Sequence, residues 1–119
     1  MIIGIGIDII EADRFKKAAL NYAFLEKIFT KEELKMSGDN IVMLADNFAV
    51  KEAVSKAFGT GIRKMALKDI EVLRDELGKP YVNLYGPALA KYEELKGVNL
   101  QVSITNTRDN SAAICVIEG

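Results

Sequence analysis

The stretch NFAVKEAVSKAFGTG, residues 47–61, reads as the second half and the end of the longest helix in the chain. At 100° per residue, Ala49, Val50, Ala53, Val54, Ala57 and Phe58 form a broad apolar arc, and its alanines invite close packing. Lys51, Glu52, Ser55 and Lys56 occupy the opposite arc. Phe48 sits among them, one turn before Glu52, so an aromatic on a polar arc predicts a pocket wall or a subunit contact. Gly59 is the C-terminal stop, and the helix is predicted over residues 41–58. Glu52 and Lys56 stand four apart in the favourable order, which alone predicts a surface ion pair worth roughly 0.3–0.5 kcal/mol.

Upstream, residues 2–10 alternate as a strand, with Ile3, Ile5, Ile7 and Ile9 on one face and Gly4, Gly6 and Asp8 on the other. A buried strand is expected here, since the apolar run has no basic flank and Asp8 breaks it well short of a membrane span. Helices are predicted over residues 13–20 and around Phe24 to Phe29. Thr30 opens another, with Glu33 as its capping-box partner. Downstream, strands at residues 70–73 and 81–85 flank the turn Leu77-Gly78-Lys79 as a hairpin. Gly86 and Pro87 open a helix over residues 88–96, and strands at 100–105 and 111–118 pair across a polar turn. The order implies one α+β domain over residues 1–119, a small antiparallel sheet packed on a long central helix.

Composition narrows the chemistry. The chain has no histidine, which removes Ser-His and Cys-His nucleophile pairs and every histidine-ligated zinc site. Its one cysteine, Cys115, lies in an apolar run and is expected to be buried. Catalysis must rest on carboxylates, lysine, hydroxyls or metal. A metal held by carboxylates and water would be a hard cation, magnesium or manganese before zinc or copper. Lys+Arg number 16 against Asp+Glu 17, so no global field favours nucleic acid or an anionic membrane. With neither disulfides nor a signal peptide in view, a cytoplasmic address is expected.

GTG after the helix and the glycine-bordered Asp8 suit close backbone approach to a phosphate-bearing ligand. For Gly4 and Gly6 themselves, tight packing of strand against helix is the favoured reading. GIGID lacks the third glycine of a dinucleotide fingerprint, and no Walker A sequence is present.

Four blocks, GIGIDIIEADRF, FAVKEAVSKAFGTG, GKPYV and VSITNT, together resemble the holo-acyl-carrier-protein synthase family, in that family's order and over nearly the whole chain. The resemblance implies a phosphopantetheinyl transferase fold and transfer of the 4'-phosphopantetheine arm of coenzyme A to a serine of apo-acyl carrier protein. It implies Mg2+ (with Mn2+ a substitute) on Asp8 and Glu52, and Lys56 near the pyrophosphate as a catalytic partner of both. Coenzyme A contacts are implied for Lys56, Gly59, Thr60, Gly61, Asn47, Lys79, Pro80, Thr105 and Asn106. Arg14, with Lys16 and Lys17, would dock the acidic carrier, and a homotrimer would place each active site between subunits. Elementary electrostatics agrees: two carboxylates about 4 Å apart repel by roughly 4 kcal/mol at an effective dielectric near 20, so a converged Asp8 and Glu52 need a cation or a proton.

Two positions depart from the family pattern. Asn106 stands where the closing block carries histidine, and can neither hold a charge nor shuttle a proton. Asn47 replaces an arginine common before the FA pair, for which Arg63, Lys64 or Arg108 could compensate. Asn106 motivates the alternative reading, a coenzyme A or nucleotide-binding module with weakened or lost transfer.

Overall fold

The computed structural model describes residues 1–59 and 65–119. Thr60, Gly61, Arg63 and Lys64 therefore lie outside the described residues. The central helix α4 (Ile41–Ala57) starts where Asn40 accepts a hydrogen bond from the Met43 amide at 3.1 Å, and ends before Gly59, whose φ of +79° reverses the chain. Ala49, Val50, Ala53 and Val54 are fully buried, as their arc predicts.

The polar arc needs correction. Lys51 and Ser55 are also buried, because the strand β2 (Ile70–Arg74) and the helix α3 (Lys31–Ser37) cover that side of α4. Only Lys56 of the arc is exposed, with Glu52 half-buried. Lys51 Nζ lies 2.7 Å from Glu33 Oε1 and 3.0 Å from the Leu67 carbonyl, and also donates to the Ile70 carbonyl. Thr30 and Glu33 form the predicted capping box, so Glu33 serves the helix start and the buried lysine together.

Strands β1 (Ile2–Glu11), β5 (Asn110–Glu118) and β4 (Asn99–Asn106) form an antiparallel sheet in the order β1-β5-β4. The hairpin of β2 and β3 (Pro80–Leu84) is a second sheet, so the strands divide between two sheets instead of one. In register, Gly6 faces Cys115, which faces Val102, and this row packs against α4. A Cβ on Gly6 would lie 1.9 Å from the Ala53 carbonyl oxygen, and one on Gly4 2.3 Å from that of Ala57. The two glycines thus let strand and helix backbones touch. The isoleucine face of β1 is the open one: Ile5, Ile7 and Ile9 are 62%, 67% and 66% exposed, so β1 is buried on its glycine side only.

Helices α1 (Ala12–Ala19) and α2 (Tyr22–Ile28) cover the N-terminal half of α4 with an aromatic cluster, and α5 (Gly86–Glu94) follows the hairpin. Phe15 is its buried centre, with its ring 5.5 Å from that of Phe48 and 6.3 Å from those of Phe24 and Phe29. Among the described residues, no helix is long and apolar enough to cross a membrane.

Candidate active site

Asp8 lies two residues beyond Gly6, on the strand face that α4 approaches most closely. That approach brings it to the last turns of the helix. Lys56 Nζ lies 2.8 Å from Asp8 Oδ1 and donates to the Ile7 carbonyl at 3.0 Å. The expected Glu52–Lys56 surface pair is thus corrected, since the ammonium is given to Asp8. Glu52 remains close enough to feel both charges. Burial, then the Asp8 carboxylate, push its pKa above 4.5, and Lys56 draws it back. Asp8, Glu52 and Lys56, singled out in three separate places, therefore converge.

Asp8 and Glu52 are the two carboxylates of this cluster that could hold a small hard cation. Among the described residues, no group of three or more acidic, cysteine or histidine side chains could hold a metal. Two carboxylates with the rest of the coordination supplied by phosphate and water is a common magnesium arrangement, and mutual repulsion raising Glu52 is what such an ion would relieve. Cys115 offers no rival chemistry, because burial pushes its thiol up to about 12.

Beside this cluster opens a cavity of about 370 Å³, lined by Ile9, Ile10, Glu11, Arg14, Phe15, Ala18, Phe24 and Phe48. Phe48 is thus a pocket wall, as its place on the helix suggested. Arg14, Lys16 and Lys17 are all exposed on α1, and Arg14 alone of them lines this cavity. Lys16 faces a smaller one, beside Arg108.

The remaining candidates scatter. Asn47 is 1% exposed and turned into the core, where its amide donates to the Val72 carbonyl at 3.1 Å and lies 3.4 Å from Glu33 Oε2. A direct ligand contact there is corrected: the position faces α3 and β2. Lys79 is exposed at the hairpin turn, whose backbone Asp75 ties by accepting from Leu77 and Lys79, and Pro80 opens β3 opposite Arg74. Thr105 and Asn106, neighbours on β4, point to opposite faces. Thr105 lies on the open face with Ile7 and Ile114, whereas Asn106 reaches Asp46 of α4. Gly59 is exposed just past α4.

Asp46 was not among the sequence candidates. A lone aspartate inside a helix carries no local signal, and its partner is 60 residues away. It precedes Glu52 by six positions, about 9 Å along the axis and about 120° around it. The cluster at Asp8 and the cluster at Asn106 therefore leave α4 in different directions.

The profile of the 4'-phosphopantetheinyl transferase superfamily matches residues 4–115. A holo-[acyl-carrier-protein] synthase of Lachnoclostridium phytofermentans is 52% identical over 118 residues, covering 99% of this chain and 97% of its own. The solved holo-[acyl-carrier-protein] synthase of Neisseria meningitidis superposes with a TM-score of 0.88 at 39% identity, over the full length of both chains. That of Helicobacter pylori, in complex with coenzyme A, gives 0.86 at 29% identity, covering 96% of this chain and 99% of its own. With Asp8, Glu52 and Lys56 gathered at one place on this fold, the chain belongs to the 4'-phosphopantetheinyl transferase superfamily, among its holo-[acyl-carrier-protein] synthases.

Proposed function

We propose that this chain transfers 4'-phosphopantetheine from coenzyme A to a serine of apo-acyl carrier protein in a magnesium-dependent reaction at Asp8, Glu52 and Lys56. The observation that carries the site assignment is Lys56 bonded to Asp8, with Glu52 under the influence of both. The serine oxygen attacks the phosphorus that bears pantetheine, the diphosphate P–O bond breaks, and adenosine 3',5'-bisphosphate leaves. The nucleophile comes with the carrier, which accords with a chain without histidine. The serine proton passes to water at the site or to a carboxylate oxygen of Glu52. Lys56 offers its ammonium to the diphosphate. Asp8 and Glu52 would hold the magnesium ion, which when bound offsets the charge that develops on the leaving diphosphate oxygen.

Arg14 at the rim of an aromatic cavity supports docking of an acidic carrier with apolar side chains, beside the reacting groups. The open isoleucine face supports self-association, read here as a homotrimer, because a row of exposed Ile5, Ile7 and Ile9 is costly to leave in water. A soluble intracellular enzyme of the cytoplasm is the corresponding address.

Incubation with coenzyme A, Mg2+ and apo-acyl carrier protein, followed by mass spectrometry of the carrier, tests the reading. A phosphopantetheine increment that disappears in Asp8→Asn and Glu52→Gln is expected. Coenzyme A binding without any increment would favour the binding-module alternative. Transfer surviving both substitutions would remove the site assignment.

A further inference from the structure

Lys56 stands in the last turn of α4, and its ammonium contacts two consecutive residues of β1. Nζ lies 2.8 Å from Asp8 Oδ1 and 3.0 Å from the Ile7 carbonyl oxygen. The Asp8 oxygen it holds belongs to a carboxylate assigned above to the metal ion. Magnesium bonds oxygen at about 2.1 Å, so an ion on that oxygen would stand at most about 5 Å from the ammonium, where the two cations repel. One oxygen serves both poorly. The free protein therefore keeps the Asp8 side chain, 16% exposed, neutralised by a lysine of its own. That lysine is loosely held, since its side chain is 53% exposed and exposed ion pairs are weak. Lys51, bound to Glu33 and two backbone carbonyls in the core, has no such freedom.

We infer that Lys56 is a resident counter-cation, which competes with a divalent ion for Asp8 in the free protein and moves to an anionic ligand when one arrives. The inference deepens the reading above and rests on its assignment of the ion to Asp8 and Glu52. Phosphate oxygens offer the ammonium charge-assisted hydrogen bonds, stronger than its bond to a backbone carbonyl. Drawn off by them, it uncovers Asp8. Ion and diphosphate thus favour each other through the lysine as well as through direct contact, and the coupling is reciprocal. An ion that arrives first meets an occupied carboxylate.

Titration of the full chain with Mn2+ alone, the free ion being counted by electron paramagnetic resonance, tests the inference without any turnover. Lys56→Met should bind Mn2+ about three- to ten-fold more tightly than wild type, because the competing charge is gone. Lys56→Arg keeps that charge and should stay near the wild-type affinity. Lys56→Gln, which also removes it, repeats the test if Lys56→Met fails to fold. Coenzyme A, after correction for Mn2+ bound to the coenzyme itself, should raise the Mn2+ affinity of wild type by a larger factor than that of Lys56→Met. Mn2+ binding in Lys56→Met as weak as in wild type, or weaker, overturns the inference. So does a Lys56→Arg protein that binds as tightly as Lys56→Met, since charge would then not be the cause. Mn2+ affinity unchanged by both Asp8→Asn and Glu52→Gln, or no Mn2+ binding by any of these proteins, overturns the underlying metal assignment instead.

Discussion

Lys51 and Lys56 stand five residues apart on α4, and each donates to a carboxylate at nearly the same distance, 2.7 Å to Glu33 and 2.8 Å to Asp8. Their surroundings differ. The Lys51 and Glu33 side chains are both 0% exposed, whereas those of Lys56 and Asp8 are 53% and 16% exposed. An ammonium has three donors, and Lys51 spends them on Glu33, Leu67 and Ile70. Lys56 uses two, on Asp8 and Ile7, and keeps one for an arriving anion among the described contacts. The saturated lysine holds α3, α4 and β2 together; the unsaturated one can do chemistry. Burial lowers Lys51 and raises Glu33, each partly restored by the other, so neither is stable in its place alone.

Breaking the buried pair should have the largest effect. Lys51→Met leaves Glu33 in the core without its cation, and should cost about 3–5 kcal/mol of unfolding free energy in urea denaturation. Adding Glu33→Gln should recover a large part of that loss. A double mutant as unstable as the sum of its parts would show that the two residues do not act as a pair. Lys56→Met should do the reverse. Its exposed pair is worth under about 1 kcal/mol, so stability should barely move, while kcat for phosphopantetheine transfer should fall about 10²- to 10³-fold. Equal losses of stability at the two lysines would erase the distinction.

The contact that brings Asp8 to Lys56 can be strained directly. In Gly6→Ala the new methyl would sit 1.9 Å from the Ala53 carbonyl oxygen and 2.7 Å from the Ala57 nitrogen, both backbone atoms that cannot step aside. Overpacking of this kind costs about 1–3 kcal/mol, and strand and helix must separate. Transfer should therefore fall along with Tm, although position 6 touches no substrate. The control is Val98→Ala at an exposed position outside the isoleucine face, where neither should change by much. A Gly6→Ala protein with normal Tm and normal transfer would remove the claim that glycine packing builds the site.

Much of this was legible in the residues because the signals were local. Alternation in residues 2–10, the Thr30–Glu33 box and the glycine after Phe58 each depend on neighbours within a few positions. The triad of Asp8, Glu52 and Lys56 was legible through motif resemblance, and the glycines supply the physical reason that these distant segments meet. What remained hidden depends on which faces are covered. Lys51 and Lys56 lie on the same helical arc by sequence, and nothing local says that β2 covers one and not the other. Resemblance implied a coenzyme A contact at Asn47, and nothing local says that α3 and β2 cover that position. The isoleucine row was read as buried because an apolar alternation does not say which of its two faces meets the helix. Asp46 was invisible, since its role is set by a strand 60 residues later.

The smallest expected effect is on pH, and it separates the two carboxylate environments. Glu52 is raised above 4.5 by burial and by Asp8. A carboxyl raised on folding holds its proton more tightly in the folded chain, so its contribution to stability declines as pH climbs from 4.5 through the raised value. A divalent cation on Asp8 and Glu52 competes with that proton and removes the repulsion. Added Mg2+ should therefore raise Tm little near pH 5 and more at pH 8. At ten times its dissociation constant the gain should approach about 1.4 kcal/mol, roughly 5 °C. Glu52→Gln should remove both the gain and its pH dependence, and without metal should be relatively more stable than wild type as pH rises. Glu33, whose neutralising partner is the buried Lys51, should show no response to Mg2+ in the same scans. A Tm gain from Mg2+ that is the same in wild type and Glu52→Gln would place the ion elsewhere and leave Lys56 as the positive charge beside Asp8 among the described residues.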